Sequence, residues 1–328
     1  MTTAPVAPTT EALVTGKLTE SGTIAQPPRR RKKAPEPQDR TNISELDRRS
    51  KRVRTSLWIL NAVLIIVLLV ISAGPLLWLG KAALSTTQDI LREPFAWWPS
   101  GIQWHNLVDA WFKIDIGRYL VNTVFLAVGV WFFGMLVALT GAYGLSILKP
   151  KYAKVINGAV LATLFIPGVV SLIAQYVTVL DMPLLHWNLI NTFWAVWLPG
   201  AANAFNVLLV SRFFDSLPKD VFEAAKIDGA GPFQVFWRIV LPMSKPIIGV
   251  TSLITIIGAW KEFLWPLLVL PKPDLQPLSV GLYKVTASAE MSLLMAGMFI
   301  SVVLPIVLFL IFQKQFLKSA GQSGAIKG

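Results

Sequence analysis

The sequence predicts an all-α polytopic membrane protein of about six transmembrane helices with a two-helix polar loop on one side, and three observations predict it. Of its 328 residues, 54% are hydrophobic and only 15% charged, and the mean hydropathy is +0.58, too apolar for an ordinary soluble domain. Six apolar runs reach the roughly 20 residues that a helix needs to cross a bilayer. Between the fourth and fifth runs lies a polar, glycine-broken island, Glu223 to Pro242.

Residues 1–55 come first, rich in Pro, Thr, Ser and charge, with a basic run from Arg29 to Lys33. They cannot bury enough apolar surface to order themselves and are expected to form a disordered basic tail. A cleaved signal peptide would need a short apolar core near the start, whereas the first apolar run begins at Ser56 and is long enough to span and stay. The remainder, residues 56–328, carries spans at about Ser56–Gly80, Tyr119–Leu148, Val155–Leu180, Ile190–Phe213, Ile247–Leu270 and Ser292–Phe312. Pro75, Pro167, Pro199 and Pro305 fall inside four of them and Pro266 near the end of a fifth. Packed transmembrane helices tolerate this because neighbours re-satisfy the freed carbonyls. The small residues Gly134, Ala138 and Gly141 of the second span suit close helix packing.

Orientation follows from the basic residues, which concentrate in cytoplasmic loops. With the N-terminus inside, the inner side receives 23 of the 30 Lys and Arg residues, and both termini and the polar island are cytoplasmic. Outer segments carry Trp97, Trp98, Trp104, Trp111 and Trp187, suited to anchoring at the interface. The net charge of +12 is spread along the edges of apolar runs and the tail instead of one stripe, which points to lipid headgroups and not to nucleic acid. With no cysteine and only His105 and His186, neither a metal site nor a cofactor is expected.

The loop at about 214–246 reads as two short helices around a sharp bend. Pro218 suits a first helical turn, and Asp220 and Glu223 favour the positive end of the helix dipole. A helix is predicted over Leu217–Ile227. Asp228-Gly229 supplies a left-handed residue, and Gly231-Pro232 starts a second helix through Leu241. Ala224 and Ala225 leave the first helix thin, so a partner's groove can approach closely, while Val221 and Phe222 offer contact area.

These residues, Glu223-Ala224-Ala225, then Gly229, then Ile239-x-Leu241-Pro242, resemble in identity and spacing the signature of the permeases of type I ABC importers. Ile190-Asn191-Thr192, Leu198-Pro199, Ala204-Phe205-Asn206, Trp265-Pro266-Leu267 and the ending Gly324-Ala325-Ile326-Lys327-Gly328 look like the MalG-like subunits of carbohydrate importers. The resemblance covers about residues 56–328. It implies a bacterial inner-membrane subunit forming half of a translocation pathway for a sugar or sugar derivative. The partners it implies are a second, MalF-like permease, a dimer of cytoplasmic ATPases and an extracytoplasmic solute-binding protein. It assigns ATPase coupling to Val221, Phe222, Glu223, Ala224, Ala225, Asp228, Gly229 and Ala230. Lys261 departs from the asparagine that these permeases commonly carry there.

Polar groups inside spans are costly and so mark candidate functional positions. Asn203 and Asn206 lie three apart on one face of the fourth span, and Trp260, Lys261 and Glu262 are consecutive in the fifth. All five are candidates for the substrate pathway, where hydroxyl-rich ligands take hydrogen bonds and stack on aromatic faces. Hydrogen bonding between helices is the simpler role for Asn203, Asn206, Gln175, Tyr176, Asn122 and Thr123.

No phosphate-binding loop is present: Gly74 to Lys81 has the wrong spacing and no hydroxyl residue. Paired carboxylates, a nucleophile with its base and metal-ligand spacing are also missing from the spans, so a transport subunit, not an enzyme, is expected. The alternatives are an ABC permease for an amino acid, a phosphorylated polyol or a peptide, and a stand-alone secondary transporter, which would have no use for a docking loop.

Overall fold

The computed structural model describes residues 51–321. The basic tail up to residue 50 and the terminal 322–328 stretch lie outside the described residues. All regular elements among the described residues are helical. The chain divides into two units, residues 1–65 and 66–328. The described part of the first is the leading half of helix α1 (Lys51–Ala83), so residues 51–55, expected as tail, are already helical.

In the second unit, α2 (Thr87–Arg92) and α3 (His105–Lys113) follow α1. The Thr86 hydroxyl accepts from Asp89 N at 3.1 Å, and the Asp89 carboxylate accepts from Thr86 N and from the Ser100 hydroxyl at 2.8 Å. That hydroxyl bond holds the Asp89 carboxyl below its ordinary 3.8 against the opposing effect of desolvation, with smaller help from the bonds to Thr86 and to the Ser100 backbone. Helix α4 (Ile116–Ala142) is the central strut, packing against the fourth and fifth segments, and it ends in a π-helical turn at Tyr143–Leu148.

The three middle segments are not straight rods. The third is α5 (Ala153–Thr163) and α6 (Gly168–Leu180), meeting at 107°. Pro167 lacks an N–H and drives Ile166 away from helical geometry, so the expected continuous helix breaks. The fourth is α7 (Trp194–Ala201) and α8 (Ala204–Asp215), bent by 40°. Pro199 cannot bond to the Ala195 carbonyl, and the Trp265 indole N–H takes its place at 2.9 Å. The chain then forms α9 (Lys219–Ile227), α10 (Pro232–Met243, π-helical over Phe236–Val240) and α11 (Lys245–Lys261), the last two meeting at 77°.

The fifth segment also departs from expectation, because α11 stops at Lys261 and Glu262 is extended, with φ −63° and ψ 127°. Pro266, inside the short α12 (Leu264–Val269), would have donated to the Glu262 carbonyl had it carried an N–H; the Ser279 hydroxyl donates there instead at 2.8 Å. A loop, α13 (Leu278–Val285) and α14 (Met291–Gly321) complete the described residues. By length and composition, α1, α4 with its π-turn, and α14 can each cross a membrane, and the number rises to as many as six if each of the three bent pairs is one span.

Asn122 and Thr123 bond not to a neighbouring span but to the segment between α12 and α13 and to the first residue of α13. The Asn122 amide donates to the Asp274 and Gln276 carbonyls, and the Thr123 hydroxyl accepts from Leu278 N at 2.7 Å. At the middle of α4, Gly129 lies so close to α7 that a Cβ there would sit 2.1 Å from Trp197 Nε1. The ring of Trp197 stacks on Phe193 and meets Phe125 and Trp194 edge-on.

Candidate functional site

The elbow between α9 and α10 follows from its turn chemistry. Pro218, extended at φ −59° and ψ 123°, precedes the helix instead of opening it, so α9 begins at Lys219, two residues later than predicted. It closes with Asp228 N donating to Ala224 O at 3.0 Å and Ala230 N to Ala225 O at 2.9 Å. That wrap needs a left-handed residue, which Gly229 supplies at φ 75°. Gly231 and Pro232 then open α10.

The eight residues singled out here fall on two sides. Ala225 is buried, and Phe222 and Ala230 pack with it, in a core that holds Phe214, Val235 and Val240. Val221, Glu223, Ala224, Asp228 and Gly229 are exposed. Among the described residues Glu223 has no ion-pair partner, which leaves its carboxylate free for another chain. The outward side also carries Ile227 (87% exposed), Phe233 (74%) and Trp237 (55%), which the sequence reading did not single out. Their signal was present: large apolar residues standing in a polar island.

The elbow is tied to the bundle at its foot. Tyr143, in the π-turn of α4, donates its hydroxyl to the Pro232 carbonyl at 2.8 Å and packs on Phe236 with ring centroids 5.0 Å apart. Ser146 bonds to the Ser211 carbonyl at 2.9 Å, and Lys149 pairs with Asp215 at 3.2 Å.

A cavity of about 590 Å³ opens between α4, α6, α7, α8, α11 and α12. Asn203, Asn206 and Glu262 all line it, together with Gln175 and Thr255. Asn203 accepts from Asn206 N at 3.0 Å and so caps α8 at the break. The Asn206 amide donates to the Thr255 hydroxyl at 2.9 Å, while its own Oδ1, buried, has no partner among the described residues. Thr255 went unnoticed in the sequence because a lone threonine in an apolar helix carries no signal without its partner. Glu262 accepts from Trp265 N at 3.3 Å and is the one ionisable group among the residues lining this cavity.

Trp260 and Lys261 are not brought to the same place. They line a separate space of about 410 Å³ with Ser279 and Ser301. The helix ends between Lys261 and Glu262, so the two side chains leave the backbone toward different sides. Among the described residues no three His, Asp or Glu side chains converge as metal ligands. What the main cavity offers is amides, a hydroxyl and a carboxylate between apolar walls, suited to holding a polar solute by hydrogen bonds.

A family profile described as "Binding-protein-dependent transport system inner membrane component" matches residues 131–321, a stretch that includes the elbow and most of the cavity wall. The chain belongs to this family. It is thus an ABC importer permease, an inner-membrane component of a binding-protein-dependent transport system. The permease is 31% identical over 301 residues to the probable ABC transporter permease YurM of Bacillus subtilis strain 168, covering 90% of this chain and 96% of that one. It is 29% identical to the diacetylchitobiose uptake system permease NgcG of Streptomyces coelicolor (84% and 89% covered). With the sn-glycerol-3-phosphate transport system permease UgpE of Pectobacterium atrosepticum it shares 27% (81% and 96%). A solved bacterial ABC transporter involved in the import of the acidic polysaccharide alginate shares the permease's fold, with TM-score 0.72 at 21% identity over 81% of this chain and 98% of that one.

Proposed function

We propose that this permease forms half of the pathway by which a sugar or sugar derivative enters the cell, and that ATP is hydrolysed by separate chains that dock on the α9–α10 elbow. The observation that carries the reading is the elbow itself: a rigid wrap whose inner face is packed into the bundle and whose outer face leaves Val221, Glu223, Ala224 and Ile227 exposed. A surface of that kind on a cytoplasmic loop is built to be covered. Closure of an ATPase dimer would move the elbow as a unit, and the packed core beneath it, with the Tyr143 bond, would pass the displacement to α4, α8 and α11. The ligand then acts by favouring one state over the other.

The positive-inside distribution of Lys and Arg supports cytoplasmic termini and a cytoplasmic elbow. The relatives named for diacetylchitobiose and for sn-glycerol-3-phosphate, with the alginate importer, support a carbohydrate or a carbohydrate-like polyol as cargo. A second permease, closing the open side of the cavity, and a solute-binding protein complete the assembly. The test is purification from its own membranes: the intact chain brings an ATPase with it, and Ile227→Asp releases that ATPase while the chain still inserts and still pairs with the second permease. Retention of the ATPase by Ile227→Asp together with Glu223→Arg overturns the docking assignment.

A further inference from the structure

Within this reading, the cavity carries a rule about charge. Its lining contains the amides of Gln175, Asn203 and Asn206, the hydroxyl of Thr255 and a single ionisable group, Glu262. Lys261, adjacent in the chain, does not cancel that charge here, because it lines the other space, with Ser279 and Ser301. The Asn206 Oδ1, buried and without a partner among the described residues, adds an acceptor to the carboxylate's. Between low-dielectric walls the field of one carboxylate is focused along the cavity instead of being screened by bulk water.

We infer that Glu262 makes this half of the pathway select for solutes that are uncharged or carry an ammonium group, and against carboxylate- or phosphate-bearing ones. The cargoes for which the relatives are named divide on this point: diacetylchitobiose is neutral, whereas glycerol phosphate and an acidic polysaccharide are anions. By its own residues this permease belongs with the first. The inference rests on the proposal that the cavity is a solute pathway. It adds Glu262 as the residue that sets charge preference.

The chain has no cysteine, so one introduced thiol is the chain's sole reactive site. In membranes holding the assembled importer, Asn203→Cys is to be labelled with a trimethylammonium-bearing and a sulfonate-bearing methanethiosulfonate, and each rate divided by that for a free thiol. The cationic reagent should be favoured at least about tenfold, the scale that one carboxylate about 6 Å away gives even at the dielectric of bulk water, near 80. Glu262→Gln should remove most of that preference and Glu262→Asp should keep it. Equal corrected rates, an anion preference, no reaction with either reagent, or a preference indifferent to Glu262→Gln overturns the inference. Uptake of a labelled neutral disaccharide and of the matching uronic-acid disaccharide separates the two levels. Uptake of the uronate alone overturns the charge rule and leaves the sugar reading standing. Uptake of neither, with the labelling preference intact, overturns the sugar reading alone.

Discussion

The hydroxyl of Tyr143 donates to the carbonyl of Pro232 at 2.8 Å, joining the foot of the central helix to the first residue of the elbow's second helix across 89 positions of sequence. Pro232 opens α10, so its carbonyl accepts one of that helix's first N–H groups as well. A displacement of the elbow is therefore felt by α4 directly.

Tyr143→Phe keeps the ring and its contact with Phe236 but removes the bond, a change of roughly 0.5–1.5 kcal/mol. Insertion and ATPase binding are expected to persist, while solute moved per ATP hydrolysed falls several-fold. The ratio of uptake to phosphate release in proteoliposomes measures this.

At Gly229 the backbone sits at φ 75°, with open space where a Cβ would go. The cost of a side chain is thus conformational and not steric crowding: about 1–2 kcal/mol for most residues, less for asparagine. Gly229→Val should weaken retention of the ATPase and Gly229→Asn should largely preserve it, as read by the amount co-purified.

The contact between Gly129 and Trp197 leaves no room for a methyl group. Gly129→Ala should lower the stability of the solubilised assembly by about 1–3 kcal/mol through forced repacking, and Trp197→Leu in the same chain should restore part of it. Thermal unfolding followed by loss of tryptophan signal compares the variants.

Thr255→Val leaves the buried Asn206 amide with an N–H to satisfy, at about 1–3 kcal/mol. Asn206→Leu combined with Thr255→Val should recover stability but not uptake, because the cavity then loses both polar groups. Parallel measurements of melting and transport distinguish a purely structural pair from one that meets the solute.

The elbow was legible in the sequence because its determinants are local: Gly229 for the left-handed turn and Pro232 for a helix start. Which side of α9 faces inward was not, since Phe222 and Ala225 turn toward Phe214 at the end of α8 and Val240 in α10, partners set by tertiary packing. Hydropathy marked the apolar segments yet could not show the third and fourth bent, nor the fifth stopping at Lys261. The prolines did carry that information: Pro167 marks the 107° break, and Pro266 lies four residues after the extended Glu262. Asn203, Asn206 and Glu262 share a cavity because α8 and α11 cross there, and the separation of Lys261 from Glu262 depends on where one helix stops.

The carbonyl of Ala195, freed by Pro199, is held by the indole of Trp265. Inside a bilayer an orphaned carbonyl has no water to turn to. The segments bearing these two groups are consequently stapled, and a rearrangement that parts them must first break that bond. The helix breaks at Ala202–Asn203 and at Glu262–Phe263 lie one on either side of the staple.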